Sequence, residues 1–212
     1  MDRIVGIIPA RGIASRFGGL PKELLPISDS ECGLTHCAES MYACGADKTI
    51  VLTTLAKEVL HINATTGMPF VKFNCNEEGR GLWRDLLDAS VYPADWYLFG
   101  MPDTIFPRDA FMVERDHPVM TGVFRTDQPE RFGMLRGNRI TDKQSGPTGH
   151  AWGTWIWSAE AMEYLIGALA NYQDHTQALN ALLDKFGVKP FTLEYYYDFA
   201  TFADYREYLC CQ

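Results

Sequence analysis

The chain has 212 residues, of which 47% are hydrophobic and 22% charged, and its formal net charge is -8. This length suffices for one large domain with a sizeable core, and the acidic balance argues against a surface that binds nucleic acid. No apolar stretch approaches the roughly 18–20 residues that a membrane-spanning helix needs, and the first residues lack the basic and apolar regions of a signal peptide. We therefore expect a cytoplasmic protein with no membrane partner.

Short apolar runs alternate with helical patterns through the first part of the chain. Runs rich in Ile, Val and aromatic residues predict strands at residues 3–8, 49–53, 70–73, 96–99 and 119–124. Apolar residues at helical spacing predict helices at residues 35–44, 55–64, 81–90 and 108–115. This alternation favours an α/β fold, Rossmann-like and doubly wound, with a mostly parallel mixed sheet. A ligand site is then expected beyond the carboxyl ends of the strands.

The pattern changes after about residue 130. Two runs, 132–135 and 139–140, flank Gly137-Asn138 and predict a β-hairpin with a two-residue turn. The remaining predicted elements are strands at 151–157 and 188–193 and helices at 159–171, 175–186 and 202–209. No repeat, linker or low-complexity segment divides the chain, so we predict a single domain over residues 1–212.

The six cysteines and five histidines form no recognisable metal motif. No two cysteines are spaced as Cys-x-x-Cys, and no cysteine lies at a zinc-like distance from a histidine. Without a secretory signal, the cysteines are expected to be reduced thiols that are buried as small hydrophobic residues. We assign no histidine to a site.

The segment after the first predicted strand combines small residues with cations. Residues 7–27 read IIPARGIASRFGGLPKELLPI, and the backbone must turn sharply at Gly12, Ala14 and two later glycines. Loops of this kind present N–H groups to an anion, and Arg16 and Lys22 would add positive charge. The spacing is neither G-x-G-x-x-G nor G-x-x-x-x-G-K-[ST], so the sequence supports neither a dinucleotide site nor a P-loop.

This segment resembles the signature of the sugar-1-phosphate nucleotidyltransferases, the pyrophosphorylases that make nucleotide sugars. The signature runs A-[AG]-G-x-G-[TS]-R-[LF] and then P-K-x-[LM]-L-P-[IV]. The matching residues are Ala10, Gly12, Ser15, Arg16, Phe17, Pro21, Lys22, Leu24, Leu25, Pro26 and Ile27. Arg11 departs from the pattern because the family has Gly or Ala there, and Ala14 departs because the family has Gly.

Later motifs of the same family follow in order along the chain. Asn76 stands in the place of a glutamine that reads the nucleobase, and Gly81 stands at the start of the helix that follows. The segment FGMPDTIF resembles L-G-D-x-[IL]-F, which puts Asp103 on a metal-binding aspartate. Asp198 resembles the second metal ligand of the family. The resemblance therefore implies a Mg²⁺ cofactor held by Asp103 and Asp198, a role that suits oxygen ligands.

The second half of the chain resembles the sugar side of the family. Gly133 lies in a segment similar to Y-G-V-V, Lys143 corresponds to the lysine of E-K-P, and Gly153 lies in a segment similar to A-x-x-G-[IL]-Y. The resemblance implies that these three residues bind the substrate. It covers nearly the whole chain and implies a GT-A-like fold with a nucleotide-binding half, 1–125, and a substrate-binding half, 126–212.

In the reaction that the resemblance implies, the phosphate of a sugar 1-phosphate attacks the α-phosphorus of a nucleoside triphosphate, and pyrophosphate leaves. Both reactants are anions, so positive charge and in-line positioning matter most. Arg16 would hold the departing phosphates, Lys22 the α-phosphate and Lys143 the attacking phosphate. The residues expected to contact the nucleotide are Ala10, Arg11, Gly12, Asn76 and Gly81.

Three other functions stay open. The acceptor can be a phosphorylated polyol, choline or phosphonate, as in cytidylyltransferases, since Asn76 and Gln144 depart from the sugar-specific pattern. The departures at Arg11, Ala14 and Trp83 also fit a non-catalytic protein that binds nucleotide sugars. A metal-dependent glycosyltransferase would want a D-x-D motif at the strand end, which residues 102–104 do not provide. The aromatic second half is a candidate surface for a homo-oligomer.

Overall fold

The structure, a computed structural model, describes residues 2–77, 81–172 and 174–210, and the side chains of Arg16 and Arg84 lie outside that description. The strands are β1 (Ile4–Pro9), β2 (Lys48–Thr54), β3 (Val71–Asn76), β4 (Trp96–Gly100), β5 (Thr104–Ile105), β6 (Val119–Thr126), β7 (Gly133–Arg136), β8 (Arg139–Asp142), β9 (Gly149–Ser158), β10 (Lys189–Thr192) and β11 (Tyr197–Asp198). The α-helices are α1 (Gly33–Ala43), α2 (Leu55–Ala64), α3 (Leu82–Asp85), α4 (Ala159–Asn171), α5 (His175–Phe186) and α6 (Phe202–Cys210). Short 3-10 helices lie at Ser15–Phe17, Lys22–Leu24, Leu86–Val91 and Pro129–Arg131.

The main sheet is mostly parallel, as the alternation of strands and helices predicts. Its strands lie in the order β10-β6-β9-β4-β1-β2-β3. Strand β1 pairs in parallel with β2 and β4, whereas β9 is antiparallel to both of its neighbours, β4 and β6. The predicted hairpin is present as β7 and β8, and β7 also pairs with β9. The predicted Rossmann-like α/β fold with a mixed sheet is therefore confirmed.

Helices cover both faces of the sheet because successive side chains of a buried strand point in opposite directions. On one face, Val5 and Ile7 of β1 belong to a core cluster that includes Leu165 of α4. On the other face, Ile8 belongs to a cluster that includes Leu34 of α1. The apolar pattern of β1 thus anchors a helical layer on each side and leaves the strand ends free to form a site.

Most elements lie close to their predicted bounds. Helices α4 and α5 have the predicted limits, 159–171 and 175–186. The helix predicted at 81–90 is an α-helix only over Leu82–Asp85 and continues as the 3-10 helix Leu86–Val91. Strands β5 and β11, which pair with each other, were not predicted. Two residues are too few for an alternating pattern to show.

The prediction of a helix at residues 108–115 is wrong. The segment forms turns instead, and the amide of Ala110 donates to the carbonyl of Pro107. The side chain of Phe111 is fully buried against Phe106, with ring centroids 5.8 Å apart. Because this burial fixes the path of the backbone, tertiary packing overrides a weak helical pattern.

The bulk expectations concern cysteines, membrane spans and domains. All of the described cysteines are free thiols, and Cys32, Cys37 and Cys44 are buried. Burial raises the pKa of the Cys37 thiol above its usual value. Within the described ranges, no helix is long and apolar enough to cross a membrane. Strand β6 crosses the predicted boundary at residues 125/126, so both predicted halves contribute to one sheet.

Candidate functional site

A cleft of about 700 Å³, which we call the main cleft, opens where β1 and β4 end. The chain leaves β1 towards β2 on one side and later enters β4 on the other side. Such a reversal of strand order leaves a crevice at the carboxyl ends of the strands. The predicted site residues that line the main cleft are Gly12, Lys22, Gly81, Asp103, Gly133, Lys143 and Asp198.

A smaller cavity of about 410 Å³, which we call the side pocket, adjoins the main cleft and shares Gly12, Lys22 and Asp103 with it. One wall of the side pocket is the backbone that follows β1, including Ala10. The opposite wall includes Gly81 and the start of α3. The two cavities together form one elongated site with the loop after β1 along its side.

The loop after β1 is held in a tight turn. Ala14 and Gly18 have φ values of +49° and +63°, a left-handed conformation that glycine adopts freely and that costs other residues about 1–2 kcal/mol. Phe17 is buried in a small cluster with Phe199, which anchors the loop to the end of the chain. Arg16 lies in this anchored turn, and its side chain is outside the described part. The loop keeps the glycine-like backbone of the signature although it carries Ala14.

On the wall of the main cleft, the ammonium group of Lys22 forms an ion pair with Oδ2 of Asp103. Asp103 is only 7% exposed, and its other oxygen, Oδ1, is buried and has no hydrogen-bond partner among the described residues. A buried carboxylate oxygen without a donor or cation costs free energy. This pair therefore has unused capacity to bind a positive charge at Asp103.

Asp198 lies beside Asp103 because β11 pairs with β5. Asp198 is opposite Thr104 in the ladder, and the amide of Phe199 donates to the carbonyl of Asp103 at 3.1 Å. Burial, and then the negative charge of Asp103, raises the pKa of Asp198 above its usual value, although Lys22 and Arg131 oppose the shift. Two carboxylates from distant parts of the chain thus share one partly buried place.

The donor set fits a hard divalent cation. The pair Asp103 and Asp198 has an unpartnered oxygen and a raised carboxyl pKa, and both conditions would be relieved by a bound cation. Within the described residues, no cluster of three or more His, Cys, Asp or Glu side chains could hold a metal by itself. Mg²⁺ commonly takes one or two carboxylates and completes its shell with phosphate oxygens and water. The site therefore suits Mg²⁺ that arrives with a phosphorylated ligand.

Arg131 is a site residue that the sequence did not reveal. Its guanidinium lies 3.3 Å from Asp198 and 3.1 Å from Asp204, and it lines the main cleft. Asp204 is held in turn by the amide and hydroxyl of Thr201 at 2.7 and 2.8 Å. Arg131 thus binds Asp198, which lines the main cleft, and Asp204, which does not.

The prediction that Arg11 contacts the nucleotide stays a prediction: the residue lines the side pocket, but protein groups already bind its cation. The side chain is 1% exposed, and Nη1 lies 3.1 Å from Asp85 and 2.5 Å from Asp88. Nε donates to the carbonyl of Thr53, and Nη2 donates to the carbonyl and the side-chain oxygen of Asn74. All five N–H groups of the guanidinium have partners, so the side chain of Arg11 binds the protein itself.

The structure places Asn76 away from both cavities, and its contact with the nucleotide stays a prediction. Its side-chain amide donates to Asp88 at 2.9 Å, and the residue lines neither the main cleft nor the side pocket. Asp88 belongs to the same network as Arg11, which draws the amide away from the cavity. Residues 78–80 of the predicted base-reading segment lie outside the described residues. Gly81, at φ +93°, borders both cavities.

A second buried network supports the loop after β1, and sequence patterns gave no sign of it. The ammonium group of Lys57 donates to the carbonyl of Gly12 at 2.8 Å and to Glu23 at 2.6 Å. His61 contacts the same Glu23 oxygen at 3.0 Å and Thr53 at 2.8 Å. Burial alone would raise the pKa of Glu23, but the hydrogen bond from His61 and the charge of Lys57 hold it below its usual value.

The far end of the main cleft is aromatic. The ring of Trp83 lies 5.7 Å from that of His175 in a stacked arrangement and 5.7 Å from that of Trp152 edge to face. His175 is also 3.6 Å from Asp142. Lys143 lines the cleft here from a left-handed backbone with φ +46°. We call this region, formed by Trp83, Trp152, His175, Asp142 and Lys143, the aromatic end.

The two predicted substrate-binding glycines have different environments. Gly133 borders the main cleft and lies against the indole of Trp152, where a Cβ would clash. Gly153 is buried and does not border the cleft, so its role in substrate binding stays a prediction. A Cβ at Gly153 would lie 2.7 Å from the ring of Tyr196, which itself lines the cleft. The absence of a side chain at Gly153 makes room for Tyr196 and Leu193.

The fold of the chain is shared with proteins of solved structure. A protein of Bacillus anthracis assigned as a glucose-1-phosphate thymidylyltransferase, solved in complex with sucrose, superposes with a TM-score of 0.81. The two are 17% identical, and the alignment covers 98% of this chain and 94% of that one. The predicted fold of the sugar-1-phosphate nucleotidyltransferases is therefore confirmed for this chain.

The HddC protein of Yersinia pseudotuberculosis has the same fold. Its complex with GMP-PN is 20% identical, with a TM-score of 0.69 and 96% of each chain covered. A second structure of HddC is 19% identical, with a TM-score of 0.67 and complete coverage of both chains. No protein-family model matches the sequence, and no curated protein matches it either.

Proposed function

We propose that this chain, which has the fold of the sugar-1-phosphate nucleotidyltransferases, transfers a nucleotidyl group from a nucleoside triphosphate to a sugar 1-phosphate and releases pyrophosphate. The observation that carries the proposal is the ion pair of Lys22 and Asp103 beside Asp198. It lies in a cleft bordered by a glycine-rich loop on one side and by Lys143 on the other. Cations and carboxylates so arranged suit two phosphorylated reactants.

The reaction needs little covalent chemistry from the protein. An oxygen of the acceptor phosphate attacks the α-phosphorus, and the bond from that phosphorus to the oxygen bridging to the β-phosphate breaks. Pyrophosphate leaves with the electron pair, so no proton has to be moved. Because both reactants are anions, catalysis consists chiefly of positioning and charge stabilisation.

Lys22 stabilises the α-phosphate in this proposal. Its side chain is paired with Asp103 and is 27% exposed. Because it is not fully buried, its ammonium group can turn towards a phosphate in the cleft. Arg16, in the same loop, is the proposed partner of the departing β- and γ-phosphates, as the signature implies. The backbone of Ala10, Gly12 and Gly81 borders the side pocket and is proposed to receive the base and ribose.

Asp103 and Asp198 are the proposed ligands of Mg²⁺. When bound, the ion would neutralise charge on the phosphates of the nucleotide. The two carboxylates keep their positions through the ladder of β5 and β11. Arg131, which holds Asp198 and Asp204, can keep Asp204 as its partner when Asp198 takes a cation.

Lys143 and the aromatic end are proposed to bind the acceptor. Lys143 would orient the attacking phosphate, and the backbone at Gly133 would border the sugar. The half-buried ring of Trp152 offers apolar surface against which a sugar can lie, and the buried ring of Trp83, stacked against Phe99 and His175, supports it from behind. Asp142 and His175 supply polar groups beside those rings.

A second acceptor class is favoured by the composition of the aromatic end. Several rings beside the carboxylate of Asp142 also suit a cationic head group, because aromatic faces attract quaternary ammonium ions. A phosphate ester of choline is therefore the alternative acceptor. The same chemistry at the α-phosphorus would then give a nucleotide-activated amino alcohol.

The test is a panel assay that follows pyrophosphate. The native protein is incubated with each of ATP, GTP, CTP, UTP and dTTP, with Mg²⁺, against glucose 1-phosphate, other sugar 1-phosphates and phosphocholine. GTP and glucose 1-phosphate are included because the neighbours with this fold bind GMP-PN or are assigned to glucose 1-phosphate. We expect acceptor-dependent pyrophosphate that chelation of Mg²⁺ abolishes. Silence across the panel contradicts the proposal, whereas turnover only with phosphocholine selects the second acceptor.

A further inference from the structure

The guanidinium of Arg11 connects several parts of the chain beside the side pocket. Arg11 belongs to the loop after β1, and it binds the carbonyl of Thr53 at the end of β2 at 3.0 Å. It also binds the side chain of Asn74 near the end of β3 at 2.8 Å. On the far side it binds Asp85 and Asp88, which follow the start of α3. One side chain thus ties together the ends of three adjacent parallel strands and a helix.

These connections span the two walls of the side pocket. The backbone of residues 10–12 forms one wall, and Gly81, Leu82 and Asp85 belong to the other. Arg11 and Asp85 therefore form a direct side-chain link between the two walls. The guanidinium is rigid and planar, and its two-sided hydrogen bonding fixes direction as well as distance.

The buried network also removes the side chain that was expected to read the base. Asn76 donates to Asp88, and Asp88 is held by Arg11. At Ala10, Gly12, Gly81 and Leu82 the side pocket offers a nucleobase main-chain groups, whereas the charged side chains of its lining are paired with other protein groups, among them Arg11 with Asp85 and Lys22 with Asp103. Discrimination by main-chain groups depends on where the backbone is held, to within about 0.5 Å.

We propose that Arg11 is a positioning residue that sets the spacing of the side-pocket walls and thereby the base selectivity of the nucleotide site. This inference rests on the proposed function, because it takes the side pocket as the place of the base. The side chain of Arg11, 1% exposed, does not touch the substrate and acts through Asp85, Asp88 and the backbone. Its cation is needed because the network holds two carboxylates, one of them fully buried.

The test measures nucleotide binding by titration calorimetry, without an acceptor. The native chain and the Arg11→Lys variant are titrated with ATP, GTP, CTP, UTP and dTTP in the presence of Mg²⁺. Lysine keeps the charge but has three donors on a single nitrogen and cannot reach four partners in different directions. We expect the preferred nucleotide to bind about tenfold more weakly, and the other nucleotides to change less, so that selectivity narrows.

Arg108→Lys is the matched control. Arg108 also bridges two carboxylates, Glu31 and Glu39, but it is half exposed and borders neither cavity. This variant should keep the native affinity and selectivity. If Arg11→Lys does not fold, Asp88→Asn replaces it. Asparagine still offers Arg11 an oxygen, so the fold should be kept, but the charge of the ion pair is lost, so base selectivity should narrow in the same direction.

Steady-state kinetics separate positioning from a general loss of structure. For the folded variant, KM for the nucleotide should rise about tenfold while KM for the acceptor stays within about twofold of the native value. A folded variant with native affinity and selectivity contradicts the inference, and so does an equal loss for both substrates. A native chain that binds no nucleotide contradicts the proposed function and the inference together, whereas selective binding without turnover contradicts the proposed function alone.

Discussion

The two ends of the cleft are built in different ways. At the end near the loop after β1, Lys22 and Arg11 come from one short segment, and buried partners hold each of them. At the aromatic end, Trp83, Trp152 and His175 come from distant segments and are held by ring contacts. At the first end, which we call the braced end, ion pairs hold the charged side chains in place. At the aromatic end, packing between rings holds the side chains in place.

The difference follows from what each end is proposed to bind. Phosphate groups carry charge that must be met by cations at defined positions, and a buried cation needs carboxylate partners to remain in place. A sugar or choline group is met mainly by shape and by apolar surface. Substitutions at the two ends should therefore fail differently, by loss of the chemical step at one end and by loss of acceptor affinity at the other.

The largest effect is expected from breaking the charge pair at the braced end. Lys22→Ala and Asp103→Asn should each lower kcat by about a thousandfold, because charge at the α-phosphate is no longer stabilised. Activity is measured with the best substrate pair from the panel assay, and folding by circular dichroism. Lys189→Ala is the control, since Lys189 pairs with Asp116 on the exposed surface. A folded Lys22→Ala variant with native kcat would contradict the role of Lys22.

A smaller effect is expected at the aromatic end. Trp152→Leu removes a ring from the aromatic end and should raise KM for the acceptor about tenfold, with the affinity for the nucleotide unchanged. Trp96→Leu is the control, because Trp96 is half-buried but does not line the main cleft. An equal change in KM for both substrates would show that the two ends do not act separately.

The smallest effect concerns the buried bracing of the loop. Glu23→Gln should lower the free energy of unfolding by about 1 kcal/mol at pH 7, a fall in Tm of about 2–4 °C. The pKa of Glu23 is lowered in the folded protein, so its contribution is present above the usual pKa and is lost as the pH falls through the folded value. The difference in Tm between variant and native protein should therefore shrink below about pH 4.

The control for this pH dependence is Asp116→Asn. The hydrogen bonds of Lys189 also lower the pKa of Asp116, but that pair lies on the surface. Surface pairs contribute little to stability, so the Tm of Asp116→Asn should match that of the native chain at both pH values. If the Tm of Glu23→Gln falls further below the native Tm as the pH is lowered, the result would contradict a lowered pKa of Glu23 in the folded protein.

Much of the fold was predictable from the sequence because its signals are local. The apolar runs of β1, β2 and β4 and the limits of α4 and α5 depend on patterns within each segment. The segment 108–115 was not predictable, since the burial of Phe111 against Phe106 decides its path. Two-residue strands such as β5 and β11 likewise depend on long-range pairing.

The site shows the same division between local and distant signals. The loop signature led to Lys22, and resemblance along the chain led to Asp103 and Asp198, all of which border the main cleft. Arg131 was missed because its two carboxylate partners lie 67 and 73 residues further along the chain. The partners of Arg11 could not be predicted for a related reason, since they come from β2, β3, α3 and the region after α3.

The central claim, nucleotidyl transfer to a phosphorylated acceptor, is tested most directly by ³¹P NMR of the native protein with Mg²⁺ and the best substrate pair. The account predicts that the three resonances of the triphosphate and the one of the acceptor are replaced by pyrophosphate and by two coupled resonances of a new diphosphate diester, in equal amounts. Conversion of the triphosphate to the diphosphate and inorganic phosphate, with the acceptor unchanged, would contradict it.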